Sequence, residues 1–179
     1  MIEEQEKIEV INPVINLEKD LRKGKFGELS GIMEVFYPCW FFLLRNSLRR
    51  MGLRDRIVDI HIVIDGCGGH HLMLDGRPVF VERMVDPASI IENTVSVEEA
   101  KEAALNFDSR YIFRKFSVSS PIKKEFFEER YVFKVLYGLV PKNVAEKNEI
   151  MFIDSITADK TDLEIEDKTA QSLHRKRIM

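Results

Sequence analysis

At 179 residues and 20.9 kDa the chain suits one ordinary domain or two small ones, and a folded body of that size buries roughly 70% of its unfolded surface, so disulfides and metals are not needed to hold it. A composition 45% hydrophobic and 32% charged is neither that of a disordered tail nor that of a membrane protein. The formal charge of -3 argues against a dedicated nucleic-acid coat protein and leaves room for a local basic patch.

Met1 to Ser30 reads as a polar N-terminal segment (1–30) with a thin apolar pattern at Ile8, Ile11, Val14 and Leu17 that Pro13 interrupts, leaving a helix or turn around Leu17 to Lys23. Met1 to Lys7 is acidic with no apolar core behind a basic end, so no secretory signal is expected. Met33 to Leu44 is apolar on both alternating faces and predicts a strand in the middle of a sheet. Its apolar run, broken by Pro38, is shorter than the ~20 residues that span a bilayer, so no membrane span is predicted. Ser47 to Arg56 reads as a charged loop. In Ile57 to Asp65, Val58, Ile60, Ile62 and Ile64 fall on one face and Asp59, His61 and Asp65 on the other, the period of a strand.

Gly66-Cys67-Gly68-Gly69 then predicts a turn, and His71 to Leu74 with Pro78 to Met84 a hairpin around Asp75-Gly76. Asp86-Pro87 predicts the start of a short helix reaching Glu92. Ser96 with Glu99 forms a capping box that opens a stronger helix, with Ala100, Ala103, Ala104 and Phe107 as its apolar stripe. Tyr111 to Val118, Phe126 to Leu139 and Ile150 to Ile156 lean towards strand, although Glu125 to Arg130 suits a helix equally. The tail 166–179 is polar and ends in His174-Arg175-Lys176-Arg177.

The two halves repeat one order of elements. Phe36-Tyr37-Pro38-Cys39-Trp40-Phe41, a charged loop and Ile60-His61-Ile62-Val63-Ile64-Asp65-Gly66 are matched by Tyr131-Val132-Phe133-Lys134-Val135, a charged loop and Glu149-Ile150-Met151-Phe152-Ile153-Asp154-Ser155. In both, an aspartate ends the second strand, where its side chain can bond to the backbone of the turn. Taken with the helix, these residues resemble the PepSY-like group of small tandem α+β repeats, with Tyr37-Pro38-Cys39-Trp40 standing for its tyrosine-proline-aromatic strand and Ile64-Asp65-Gly66 for its turn. The sequence departs from that pattern at Cys67-Gly68-Gly69 and at Asp154-Ser155, which lacks the glycine. The resemblance implies a module that binds or restrains another polypeptide, and it carries over no catalytic residue.

The expected fold class is therefore α+β, with two degenerate helix-plus-antiparallel-meander units, 31–95 and 96–165, around a shared sheet core centred on Phe36, Trp40, Phe42, Ile60, Ile62, Phe133 and Phe152. Cys39, among aromatic residues, reads as a core thiol. His61, Cys67, His70 and His71 include the soft sulfur and imidazole donors that zinc or copper selects, with Asp59 or Asp65 as a further ligand, but neighbouring residues of a strand point to opposite faces. A Cys67 nucleophile activated by His70 and oriented by Asp65 would lack an oxyanion hole beyond the amides of a glycine turn. Gly66-x-Gly68-Gly69 fails as a phosphate loop, because a strand rather than a helix is predicted to follow. Arg45, Arg49, Arg50, Arg54 and Arg56 would suit a phosphate backbone.

The function these residues predict is a cytoplasmic, non-enzymatic, protein-binding or accessory module without a cofactor, acting through a sheet edge or face. The alternative is a nucleic-acid-associated protein using the Arg45 to Arg56 loop, and the third is a metal protein of the Cys67/His70 turn.

Overall fold

Stretches whose side chains alternate between buried and exposed, or are apolar throughout, become strands, and they dominate the molecule. The computed structural model describes residues 5–22, 29–49, 54–116, 123–141 and 150–161. In chain order they form β1 (Glu6–Ile11), α1 (Leu17–Arg22), β2 (Leu29–Leu48), β3 (Arg56–Asp65), β4 (His71–Leu74), β5 (Phe80–Val85), a 3-10 turn (Pro87–Ser89), α2 (Val97–Phe116), β6 (Lys123–Pro141), β7 (Met151–Asp154) and β8 (Lys160–Thr161). This is an α+β protein weighted towards sheet. Among the described residues no helix is long and apolar enough to cross a membrane.

The chain divides into two compact units, each assembled from separated segments. One comprises Pro38–Val79 and Glu92–Val132; the other comprises Met1–Tyr37, Phe80–Ile91 and Phe133–Met179. The boundaries fall inside β2 and β6, so each of these long strands contributes to both units, and compactness divides the chain differently from the sequence ranges 31–95 and 96–165.

In the unit containing α2, β4 pairs with β3 and β3 with β2, all antiparallel, and β6 follows β2. The β2–β3 register sets Phe42 opposite Ile62 and Leu44 opposite Ile60. These residues, with Leu48 and Ile64, form the face that receives Ala100, Ala104 and Ile112 of α2. Fully burying each large apolar side chain contributes about 1.5–3 kcal/mol, so this face supplies much of the unit's stability. β2 is central, as its sequence predicts, with Phe41 on one face and Phe42 on the other both fully buried. The capping box forms as expected: the Ser96 backbone N–H donates to the Glu99 carboxylate at 2.8 Å and the Glu99 N–H donates back to Ser96 Oγ at 3.3 Å. The Ser96 N–H and the Ser96 hydroxyl, each donating to the Glu99 carboxylate at 2.8 Å, hold that carboxyl below its ordinary value.

In the other unit β1 pairs antiparallel with β5 and parallel with β6 through Val10 and Phe133, while β7 pairs antiparallel with β6 and β8 with β7. Ile8, Val10, Phe36, Val85, Phe133 and Val135 make one buried cluster. Asn16 caps α1 by accepting the Lys19 N–H at 3.0 Å.

Several expectations are corrected. The segment 1–30 contains a strand, because Ile8 and Val10 alternate with Lys7 and Glu9 at period two. Tyr111 to Phe116 continues α2 rather than opening a strand: Ala100, Ala104, Asp108 and Ile112 recur every fourth residue on its buried side, and the carboxylate at the third of these positions concealed the stripe. Ser117 and Val118 lie outside the described residues, as does the tail 166–179. Asp75-Gly76 is a bend and not a hairpin turn, because β4 has already folded back onto β3 while Val81 and Val85 of β5 pack with the β1 cluster. The helix after Asp86 is a single 3-10 turn that stops at Ile90, although Asp86 does cap it at 2.8 Å to Ala88 N. Glu125 to Arg130 is strand. Of the seven residues expected to centre one core, Phe152 is buried on β7 outside both of the clusters described, and the other six divide between them. Phe42, Ile60 and Ile62 lie in that of α2, with Trp40 packed against it, whereas Phe36 and Phe133 lie in that of β1.

Candidate functional site

The glycine turn after β3 is organised by one carboxylate. Asp65 Oδ1 accepts the backbone N–H groups of Cys67 at 2.7 Å and Gly68 at 2.6 Å, while the Asp65 N–H donates to His70 O at 2.8 Å and the Gly69 N–H donates to Asp65 O at 3.0 Å. Gly69 closes the turn at φ +69°, a region glycine enters without a Cβ penalty. The carbonyl of Gly66 accepts the N–H groups of Thr94 and Val95, the residues leading into α2, at 2.8 and 2.9 Å. Gly66 is required there, since an added Cβ would stand 2.7 Å from the Pro38 carbonyl oxygen and 2.6 Å from Asn93 Oδ1.

The turn after β7 repeats these bonds. Asp154 Oδ1 accepts Ile156 N at 2.8 Å and Thr157 N at 3.3 Å, Asp154 N donates to Asp159 O at 3.1 Å, and Ala158 N donates to Asp154 O at 3.0 Å, with Ala158 at φ 63°. The carbonyl of Ser155 accepts Val14 N and Ile15 N, the residues leading into α1, at 3.0 and 3.3 Å.

The proposed metal ligands do not converge. His71 stands opposite Ile64 in the β3–β4 ladder and stacks on Phe107 of α2, its ring centroid 4.3 Å away. His61 occupies the alternate face of β3 and stacks on Phe41 at 6.3 Å. Desolvation pushes the His61 imidazole below its ordinary value, against the pull of Asp59. Cys67 Sγ donates to the Glu92 carbonyl at 3.6 Å. The His70 ring lies over Gly68. Among the described residues no three histidine, cysteine or acidic side chains are grouped to hold a metal. Asp65, proposed to orient a Cys67–His70 pair, binds the turn backbone with its carboxylate.

The five arginines are dispersed. Arg45 belongs to β2, makes a two-pronged bond to Asp59 on β3 with both contacts at 2.8 Å, and lies 4.0 Å over the Phe127 ring. That bond raises the Arg45 guanidinium and lowers the Asp59 carboxyl. Arg56 starts β3 and lies 4.8 Å over Phe116. Arg49 and Arg54 are exposed, and Arg50 lies outside the described residues. Arg77, between β4 and β5, and then Arg130 of β6 draw the Glu128 carboxyl on β6 down to about 2.

Two further features are not among the sites that the sequence singles out. Asn46 and Asp108, both fully buried, are joined by a 2.7 Å bond from Asn46 Nδ2 to Asp108 Oδ1, and Lys124 Nζ stands 2.6 Å from Asp108 Oδ2. A cleft of about 430 Å³ opens beside α2, lined by His71, Phe107, Arg110, Tyr111, Arg114 and Lys115. Its signal was the recurrence of aromatic residues at 107 and 111 and of arginines at 110 and 114, spacings that bring side chains together on a helix alone. No family model, curated protein or solved structure matches the chain.

Proposed function

We propose that the chain is a duplicated helix-plus-meander module, of the PepSY-like kind its sequence resembles, that binds a protein partner by accepting a strand along the outer edge of β5. The duplication is supported by the two aspartate-closed turns, whose hydrogen bonds correspond one by one from Asp65 to Asp154 and from Gly69 to Ala158. Each turn carbonyl also receives the residues entering a helix. In each case the helix comes from the opposite half of the sequence, which accounts for the discontinuous composition of the compact units. The correspondence predicts opposite effects at one backbone position. Ala158→Gly should raise stability by about 1 kcal/mol by relieving a left-handed alanine, and Gly69→Ala, where a Cβ would meet nothing within 4 Å, should lower it by a similar amount. Equal signs in urea denaturation of the two variants would count against the equivalence.

The observation that carries the binding reading is the pairing of β5. All six of its residues pair with β1, and among the described residues no other strand pairs with it. In an antiparallel ladder alternate residues then direct N–H and C=O groups outward, which is the template for an added strand. Met84 stands 56% exposed on that strand and offers an apolar contact beside the backbone bonds. A photo-crosslinking residue at Met84 of the full chain, expressed in its own host, should give one discrete protein adduct. The same residue at Glu98, exposed on the first turn of α2, should not. Equal labelling from both positions, or none from Met84, would remove the β5 edge as the binding surface.

A further inference from the structure

The last ten residues of α2 concentrate two kinds of side chain. Phe107, Tyr111 and Phe116 form a ladder with His71 of β4. Ring centroids are separated by 4.3 Å from His71 to Phe107, 6.2 Å from Phe107 to Tyr111 and 6.5 Å from Tyr111 to Phe116, the middle pair inclined by 23°. Arg56 closes the far end over Phe116. The three α2 rings are half-buried, because each packs against the core cluster of its unit, so the ladder is anchored from beneath.

Exposed cations flank it. Arg110, Arg114 and Lys115 line the cleft with His71, Phe107 and Tyr111, and among the described residues no carboxylate lines it. Arg114 and Lys115 stand in the final turn, where a cation also complements the helix dipole. Arg110 precedes that turn, and the dipole offers little reason for its placement. The one acidic residue on this stretch, Asp108, points into the buried side and is held by Asn46 and Lys124, so it does not offset the positive charge of the cleft.

Flat, rigid rings bordered by guanidinium groups match a ligand that is both aromatic and anionic. A phosphate would satisfy the cations while leaving the rings unused, and an aliphatic lipid chain has no flat face to lay against Phe107 and Tyr111, whose rings are inclined by 23°. A nucleobase uses both, stacking on the rings while its phosphate meets the arginines, at ~1–3 kcal/mol for each stacked base. The cleft volume is within the range of small-ligand sites, roughly 300–1,000 Å³.

We propose that the cleft along the C-terminal half of α2 binds a nucleotide unit, free or within a single strand, with its base against Phe107 and Tyr111 and its phosphate on Arg110, Arg114 and Lys115. This site excludes Arg45, Arg49 and Arg54 and is independent of the β5 edge.

The test uses the full chain, fluorescence anisotropy of a labelled oligothymidylate of about 15 nucleotides, and competition by uridine monophosphate and by inorganic phosphate. Saturable binding should weaken steeply between ~50 and ~200 mM salt. Arg110→Glu with Arg114→Glu should lower affinity at least about tenfold, and Tyr111→Leu about tenfold, with the wild-type urea midpoint approximately retained for the exposed arginine pair. Arg49→Glu with Arg54→Glu should leave affinity within about threefold. An oligonucleotide much tighter than the monophosphate assigns the single strand, and comparable affinities assign the free nucleotide; either supports the site. Absence of binding at ~50 mM salt overturns it. So does inorganic phosphate competing as well as the monophosphate, or the loss appearing in the Arg49/Arg54 variant instead.

Discussion

Asp108→Ala should destabilise the unit containing α2 by about 2–3 kcal/mol, while replacing Asp108 and Asn46 together with leucine should cost far less than the sum of the single changes. Asp108 lies fully buried in the α2 stripe that otherwise carries Ala100, Ala104 and Ile112. Its two oxygens serve separate partners, Asn46 Nδ2 at 2.7 Å and Lys124 Nζ at 2.6 Å. Truncation leaves both without that partner. Asn46 is the worse placed, because its Oδ1 already lacks a hydrogen-bond partner among the described residues. The Lys124 ammonium retains its 2.8 Å bond to Ser109 Oγ, and its partly exposed side chain can reach water.

The buried amide therefore carries most of the penalty, and removing it with the carboxylate converts an unpaired polar site into apolar contact with the core. Trp40 reports on this directly. It is the single tryptophan of the chain, and its indole N–H donates to Val95 O at 3.0 Å at the entry to α2, so its fluorescence follows unfolding of this unit. A double variant as unstable as Asp108→Ala, or an Asp108→Ala loss below about 1 kcal/mol, would mean that water already solvates the network.

The same aspartate explains why Tyr111 to Phe116 does not read from sequence as a continuation of α2. A helical stripe is recognised by apolar periodicity, and the stripe passes through a carboxylate whose partners lie 62 and 16 positions away, on strands the sequence does not connect to it. Where patterns are local, they were legible. β3 follows from Val58, Ile60, Ile62 and Ile64 alternating with Asp59 and His61, and the capping box follows from Ser96 and Glu99, because both depend on neighbours within a few residues.

Strand pairing is not local. Nothing near Asp75-Gly76 reveals that β5 joins β1, far earlier in the chain, and a glycine-containing dipeptide suits a bend as well as a hairpin. The cleft beside α2 was hidden for a related reason. Phe107 and Tyr111 share a surface at helical spacing and would be placed on the same face at strand spacing, but Arg110 and Arg114 border them only when the segment is helix. The clustering of glycine, cysteine and histidine in sequence thus points to the turn after β3, and the structure gathers its cations and aromatic rings elsewhere.

Asp154→Ala should cost about 3–5 kcal/mol, whereas Asp65→Ala at the corresponding turn should cost about 1–2 kcal/mol. Both carboxylates accept two backbone N–H groups through Oδ1. They differ in burial and in the second oxygen. Asp154 is 5% exposed, and its Oδ2 stands 2.6 Å from Lys134 Nζ, which itself lies 5.1 Å over the Tyr37 ring. Removing that carboxylate takes the Asp154 counter-charge from a largely buried ammonium, the situation that makes one-sided loss of a buried pair expensive. At Asp65 the released amides belong to Cys67, which is half-buried, and Gly68, which is exposed, so water can replace much of what is lost. Asp154→Asn separates the contributions, since its amide oxygen can still accept Ile156 N and Thr157 N while Lys134 loses the charge opposite it; it should recover the turn bonds and little else. Native-state hydrogen exchange reads both effects at once. Faster exchange at Ile156 and Thr157 should appear in Asp154→Ala and be largely restored in Asp154→Asn, while amides of Phe152 and Ile153 in the β6–β7 ladder should exchange faster in both variants. If Asp154→Asn returned the ladder to wild-type protection, the Lys134 pair would contribute little, and the two turns would be energetically as well as geometrically alike.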